Sequence, residues 1–474
     1  MTEHPVQTAA LSAGIDRPGF AYFMEQGLGK TYTALKDFED KVKKRLATRL
    51  VVICPNSFKG GWEDEMDKWG FLFDLHIYDA GAARENAQWL RKEYNKPPVL
   101  VINYESIRMA GTKKDPRPSA GIAYVEEFIH GKNAMIVADE SIQISTHDVA
   151  QTKGALHLAR QFRFRRILSG KPIKQGPHDL WSQMRFIGNL DGFNYFAFKN
   201  AFCKMGGFQG RAVVGSMNED ILAERMKGWV FDARKKDWTD LPPKTYTIRE
   251  YDLGVVLKSV YKQMENEFVV WLQSGEQISI DAAITKYIKL AQIQAGFMFR
   301  EDKTVEWIVP PERNPRLSAL LDYVDNELVG KAIIVYNHKP VRDLLKIGLE
   351  QRGKVVFIHG NMTDEEISNA KSEFNTNRAV RFICITKAAK YGHTLLGNQD
   401  SRDDACATEI FFENTYSLDD RGQLEDRPHR HGQLQDSMGY VDFAGTPLDR
   451  NCVKALQRKE GIFQAVFKAF TDRR

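Results

Sequence analysis

Three groups of residues have the types and spacing to do chemistry. The first is Glu25-Gln26-Gly27-Leu28-Gly29-Lys30-Thr31, between the apolar run 20–24 and an amphipathic stretch through Tyr32, Leu35 and Phe38. In a strand–turn–helix unit such glycines let backbone N–H groups converge on phosphate oxygens, and the helix N-terminus favours the anion. Lys30 would then reach the β- and γ-phosphates, and the Thr31 hydroxyl would ligate Mg²⁺. The strict phosphate-loop spacing wants glycine where Met24 stands, so this is a variant. Taken alone, the residues also suit a structural glycine turn. The second group is Asp139-Glu140, closing the apolar run 134–139. Carboxylates at the C-terminal end of a parallel strand sit where open α/β sheets bind ligands. Asp139 would hold Mg²⁺, directly or through water, and Glu140 would polarise an attacking water. The third group is Gln423, Arg427 and Arg430, spaced i, i+4 and i+7 to share one helical face, with Ser417 and Asp420 as a capping box. An arginine on the γ-phosphate would stabilise transition-state charge. Alone, the same row suits a solvated basic face.

The elements that must position these groups fall into two blocks. Apolar strand-like runs occur at 20–24, 49–55, 98–103, 134–139 and 165–170, and again at 331–336, 354–359, 380–386 and 407–414. Near-continuous apolar strands separated by helix-length segments predict parallel sheets covered on both faces, and hence two α/β lobes. Between the blocks, residues 176–310 change character. Segments 219–229 and 256–297 read as helices, with Leu257, Val260, Met264, Phe268 and Trp271 on one face. Phe193, Phe196, Phe198 and Phe202 are expected in the core. The turn Leu241-Pro242-Pro243-Lys244 is the best boundary between the lobes.

Composition narrows the classes. The 474 residues suffice for about two to four domains, each with its own core. With 43% hydrophobic and 27% charged residues, the chain reads as soluble and globular. No run approaches the roughly 20 apolar residues of a spanning helix, and the N-terminus lacks the pattern of a signal peptide. Cys54, Cys203, Cys384, Cys406 and Cys452 include no pair at C-x-x-C spacing, which reads as reduced thiols of a cytosolic protein. The formal net charge of +5 permits nucleic-acid binding without requiring it.

With these residues in place, the chain resembles the SNF2-like branch of superfamily 2 helicases and translocases, over nearly its whole length. MEQGLGKT (24–31) is similar to motif I, and VVICPNSFKGGWEDEMDKW (51–69) to motif Ia with its Trp-flanked extension. VINYES (101–106) is similar to the next nucleic-acid-facing motif, ADES (138–141) to motif II, and ILSGKPI (167–173) with QGPHDLWSQ to motif III. KKDWTDLPPK (235–244) resembles the segment entering the interlobe region, IIVYNH (333–338) motif IV, TKAAKYGHTL (386–395) motif V and QLEDRPHRHGQ (423–433) motif VI. The resemblance implies two RecA-like parallel-sheet lobes with helical insertions between them. The expected divisions are 1–175 for the ATP-binding lobe, 176–310 for a helical protrusion and interlobe region, and 311–474 for the second lobe. It further implies ATP and Mg²⁺ as ligands, held by Gln7, Gln26, Gly27, Leu28, Gly29, Lys30, Thr31 and Gly392, with Thr31 and Asp139 on the metal. Lys30 and Glu140 would be catalytic, joined by Gln423, Arg427 and Arg430 of the second lobe. Asn56, Ser57, Lys59, Tyr104, Thr386 and Lys387 would face nucleic acid.

The implied activity is ATP-driven translocation on duplex or branched DNA, with no membrane partner. The implied setting is a prokaryotic cytoplasm or an infected host cell, as for compact viral or prokaryotic members of the branch. Three positions depart from the pattern. Ile142 replaces the histidine of motif II, so coupling from the nucleotide site would be weaker or rerouted, with Gln143 one candidate. Lys171 replaces a threonine in motif III, and Pro428 lies inside the expected motif VI helix. Ile142 and Lys171 motivate a second reading, a nucleic-acid-binding scaffold with impaired ATPase. A small-molecule phosphate-loop kinase is a third, and it leaves Gln423, Arg427 and Arg430 without a use.

Overall fold

The computed structural model describes residues 3–111, 115–190, 192–206, 212–238, 241–273, 288–386, 394–414, 418–430, 432–446, 449–450 and 453. The chain divides into two compact units at Asp240/Leu241, the Leu-Pro-Pro-Lys turn. Each unit is built on one all-parallel sheet, the fold expected of two RecA-like lobes.

In the first unit the strands are β1 (Gly19–Met24), β2 (Arg49–Cys54), β3 (Asp74–Ile77), β4 (Pro98–Asn103), β5 (Ala134–Asp139), β6 (Phe164–Ser169) and β7 (Val230–Ala233). They pair in the order β7-β1-β6-β5-β2-β4-β3. β1 and β5 are buried throughout because helices cover both sheet faces, which is why their sequences run apolar without alternation. Separate apolar clusters on the two faces divide residues of the same strands, such as Phe23 from Tyr22 and Ile136 from Val137. Register fixes the site: Phe23 of β1 pairs with Ser169 of β6, and Leu168 of β6 with Asp139 of β5. The turn after β1, the loop after β6 and the acidic end of β5 therefore lie along one carboxyl edge, where open α/β sheets bind ligands.

The second unit holds β8 (Lys244–Glu250), β9 (Lys331–Val335), β10 (Lys354–Ile358), β11 (Val380–Ile385), β12 (Cys406–Phe411) and β13 (Met438–Ala444), paired β8-β13-β12-β9-β11-β10. Segment 176–310, expected to be helical and interlobe, supplies one edge strand to each sheet, β7 and β8. It also contains helices Glu219–Met226 and Gly254–Gln273. Leu257 of the latter packs with Leu253, Tyr261, Leu290 and Ile293 in a small core, whereas the side chains of Phe268 and Trp271 lie outside the described residues. The expected 256–297 helix stops short of Phe297–Phe299, which is a strand. Phe198 and Phe202 are buried as expected, but Phe196 is 69% exposed. Cys54, Cys203, Cys384 and Cys406 are buried free thiols, and Cys452 lies outside the described residues. Among the described residues no helix is long and apolar enough to cross a membrane.

Candidate functional site

The turn after β1 closes through Gly27 (φ 91°) and Gly29 (φ 84°), left-handed conformations that disfavour a side chain. Gly29 is the N-cap of α2 (Lys30–Lys43), so the backbone donors of the helix start face the turn. A Cβ on Gly29 would fall 2.0 Å from Gln7 Nε2. Gln7 lies in α1 (Pro5–Gly14), buried against the turn, with its Oε1 accepting from the His4 N–H at 2.8 Å. Gln7 is thus beside the turn after β1, with its carbonyl engaged in capping α1. Leu28 is buried, Gln26 half-buried and Gly27 exposed. Glu25 ties the turn to the end of β7 by accepting the Lys235 N–H at 2.7 Å.

Lys30 and Thr31 occupy the first turn of α2 and are both buried. Lys30 Nζ donates to Met24 O at 3.1 Å and stands 3.9 Å from Glu140 Oε1. A Cβ at Gly170 would lie 3.3 Å from Gln26 N and 3.5 Å from Lys30 Nζ, so the backbone there backs closely onto the turn and Lys30. Asp139 is buried, its Oδ2 accepting from Trp62 Nε1 at 3.1 Å and its Oδ1 from the Glu140 N–H at 2.9 Å. Burial pushes this carboxyl above the ordinary carboxylate range, and the charge of Lys30 and the Trp62 hydrogen bond oppose the shift. Each oxygen keeps a lone pair beyond its one hydrogen bond. Thr31 and Asp139 offer a hydroxyl and a carboxylate, hard oxygen donors few in number. That suits Mg²⁺, which usually keeps water and phosphate in most of its positions. Among the described residues no cluster of three or more His, Cys, Asp or Glu could hold a metal. Glu140 takes a left-handed backbone (φ 48°), a strained conformation for a non-glycine residue.

Tyr104 is a correction. Its motif placed it on the nucleic-acid face, but it is 1% exposed and its hydroxyl donates to Asp139 O at 2.7 Å. Burial moves its phenol well above the usual value, so it stays a neutral donor. A phenol closing the hydrogen-bonding needs of a buried acidic turn cannot also face a phosphate chain. Asn56 and Ser57 are exposed in the turn Asn56–Phe58, while Lys59 is half-buried with Nζ donating to Tyr78 O at 3.3 Å. Trp62 was not singled out as a site residue; a buried indole needs a partner for its N–H, and here that partner is Asp139.

In the second unit, the row Gln423, Arg427 and Arg430 is not on one helix. Helix α3 (Leu418–Glu425) ends before Arg427, and 426–428 form a turn. Pro428 is the reason: it lacks an N–H, its ring opposes the carbonyl four residues back, and it biases Arg427 out of the helical region. Arg427 is fully buried, with Nε donating to Gln423 O at 2.7 Å. Arg430 is half-buried, donating from Nε to Asp426 O and from Nη1 to Thr394 Oγ1, each at 3.0 Å. Thr386 is half-buried at the end of β11. Lys387, Gly392 and Ser417 lie outside the described residues.

Beside these arginines Arg421 grips Asp442 through both Nη atoms, at 2.5 and 3.1 Å, and Glu425 through Nε at 2.7 Å. Glu409 of β12 is buried nearby, and neither carboxyl oxygen has a hydrogen-bond partner among the described residues. Burial, with Glu425 adding repulsion, pushes its carboxyl from 4.5 up to about 8. An acid raised in the folded state keeps its proton where the unfolded chain has lost it. Its contribution to stability is full below the unfolded value and drains away as pH climbs through the folded one. Glu409→Gln is therefore expected to flatten the decline in stability of the second unit between pH 5 and 8, by up to about 1.4 kcal/mol per pH unit. Denaturant unfolding of both proteins across that range checks it; parallel curves would remove Glu409 as the cause.

These features define a phosphate-loop α/β protein with two parallel sheets. The profile of the SNF2-related domain family matches residues 21–298, more than half of the sequence, and the chain belongs to that family. It is 23% identical over 465 residues to the probable ATP-dependent DNA helicase CHR23 of Arabidopsis thaliana, covering 94% of this chain and 41% of that protein. It is 25% identical over 305 residues to the DNA repair protein RAD5 of Candida glabrata, covering 60% of this chain and 26% of that one. Among solved structures it is similar to the Sulfolobus solfataricus SWI2/SNF2 ATPase core in complex with dsDNA. That match is 21% identical with a TM-score of 0.41, and it covers 100% of this chain and 94% of the other. The chain spans about two fifths of the length of the first curated relatives it matches.

Proposed function

We propose that this chain is an ATP-driven motor that couples hydrolysis to movement on duplex or branched DNA. The observation that carries the reading is the cluster of Lys30, Asp139 and Glu140 on one sheet edge, with Lys30 Nζ 3.9 Å from Glu140, in a chain of the SNF2-related family. In this reading the 26–31 turn and Lys30 bind the phosphates of ATP, and Glu140 orients and polarises the attacking water. Mg²⁺, held by Thr31 and Asp139, supplies charge neutralisation on the phosphate oxygens. Gln7 contacts the nucleotide from α1, Arg427 and Arg430 of the second unit supply positive charge during turnover and Gln423 a neutral amide, joined by Gly392 on the nucleotide. Asn56, Ser57, Lys59, Thr386 and Lys387 contact DNA, and Tyr104 supports Asp139 instead. We assign 1–175 and 311–474 as the two motor lobes, with 176–310 as the protrusion and interlobe region that lends each an edge strand. Relatives that are a probable DNA helicase and a DNA repair protein support DNA as the partner.

The intact cluster supports the motor reading over the scaffold reading. Ile142 is buried, and neither it nor Lys171 takes a group away from the Lys30–Asp139–Glu140 cluster. ATP turnover measured without nucleic acid and with single strands, duplex, fork, four-way junction and RNA tests the proposal. Duplex or branched DNA should raise turnover most. DNA affinity should fall linearly in log K against log salt, as phosphate contacts require. Equal turnover with and without every nucleic acid would count against a DNA motor.

A further inference from the structure

Ser141 follows Glu140 at the start of the turn Ser141–Ile144, and its side chain is fully buried. Its hydroxyl donates to Gln183 Oε1 at 2.7 Å. Gln183, on the helix Leu180–Phe186, is also fully buried and donates from Nε2 to Pro172 O at 2.7 Å and Asp179 O at 2.8 Å. Those two carbonyls can only accept, so the amide nitrogen must face them and the amide oxygen must face Ser141. Asp179 clamps the same loop, with Oδ2 accepting the N–H groups of Lys174, Gln175 and Gly176 at 2.7, 2.6 and 3.3 Å. At its other end the loop begins at Gly170, against Gln26 N and Lys30 Nζ. Gln143 engages through its main chain, its N–H on Glu140 O and its O accepting from Gln151 Nε2. One buried amide thus joins the acidic turn to the loop that carries Lys171 and Lys174.

We propose that Gln183 is a positioning residue for Glu140, holding it through Ser141 in register with the 170–176 loop. The inference rests on the reading of Glu140 as the water-polarising group. The geometry gives the reason. Glu140 sits in a left-handed backbone conformation that its own side chain does not favour, so its orientation must be set from outside. Asp139 holds its N–H, Gln143 holds its carbonyl, and Ser141 anchors the next residue to Gln183. A shift of the loop that moves Pro172 O moves Gln183, and with it the residue next to Glu140.

Ser141→Ala removes one hydroxyl, and Gln183→Met keeps the length of the side chain without its hydrogen bonds. With duplex DNA, each is expected to lower kcat by about tenfold while KM for ATP and DNA affinity stay within about twofold, and the double variant should be no worse than the poorer single one. Amide exchange of the nucleotide-free full chain gives a readout independent of activity. In either variant it should accelerate in 139–145 and 170–176 together. Exchange confined to the neighbourhood of the substitution would overturn the link whatever the activity. Exchange that spreads while kcat stays parental, or single effects that multiply in the double variant, would overturn the positioning role. A parent without DNA-stimulated turnover would instead sink the motor reading, and exchange would still decide whether the two segments are joined.

Discussion

Replacing Glu140 with glutamine is expected to cut DNA-stimulated ATP turnover by about 10²–10⁴-fold, the usual worth of a positioned general base, while ATP still binds. The substitution is nearly isosteric, so the left-handed backbone at 140 and the Ser141 hydrogen bond to Gln183 are kept. What disappears is the negative charge 3.9 Å from Lys30 Nζ, and with it the group we propose to polarise water. Lys30 retains its hydrogen bond to Met24 O and remains available to phosphate. Lys30→Ala should differ in kind, losing affinity and turnover together, because the missing cation acts on the β- and γ-phosphates in the ground state as well as during transfer. Nucleotide titration alongside steady-state phosphate release separates the two variants. Parental turnover in Glu140→Gln would show that the carboxylate is not the polarising group.

The parts of this site that could be read from sequence are those whose chemistry is local. A buried strand, two glycines and a helix start are contiguous in 20–35, so their geometry follows from their order, and the same holds for the strand ending in Asp139. Failures occur where direction or distance matters. Motif order put Tyr104 on the nucleic-acid face because it carries no side-chain direction, and its hydroxyl turns inward to Asp139 O. Helical spacing put Gln423, Arg427 and Arg430 on one face with Pro428 inside the helix, whereas the helix ends at Glu425, before the proline. β3 and β7 escaped notice because edge strands of four residues carry no long apolar run. The Ser141–Gln183 bond spans 42 positions, and nothing near either residue announces the other.

The helix that presents Lys30 and Thr31 is held from beneath by charge, and removing one carboxylate there should be costly. Asp37 is fully buried in α2, accepting from Arg166 Nε at 2.6 Å, Lys41 Nζ at 2.8 Å and the Tyr22 hydroxyl at 3.0 Å. Arg166, also fully buried, donates to the carbonyls of Gly14, Pro18 and Arg165, which ties β6 and the end of α1 to the same carboxylate. Lys41 reaches Ile15 O from the other side. Asp37→Ala leaves the buried Arg166 without its counter-charge and Lys41 with only Asp40, at 3.5 Å, and breaking a buried pair in this way costs about 3–5 kcal/mol. Replacing the charged members together, as Asp37→Leu, Lys41→Met and Arg166→Met, should cost less than the single change, because no uncompensated charge remains. Amide exchange in the full chain locates the effect. Exchange across Lys30–Lys43 should accelerate by about 10²–10⁴-fold in Asp37→Ala, at about 1.4 kcal/mol per decade, while β9 and β12 of the second unit stay at parental rates. If exchange in that helix is unchanged, the network does not hold it. If it accelerates, ATP affinity should fall with it, since the first turn of the helix carries Lys30 and Thr31.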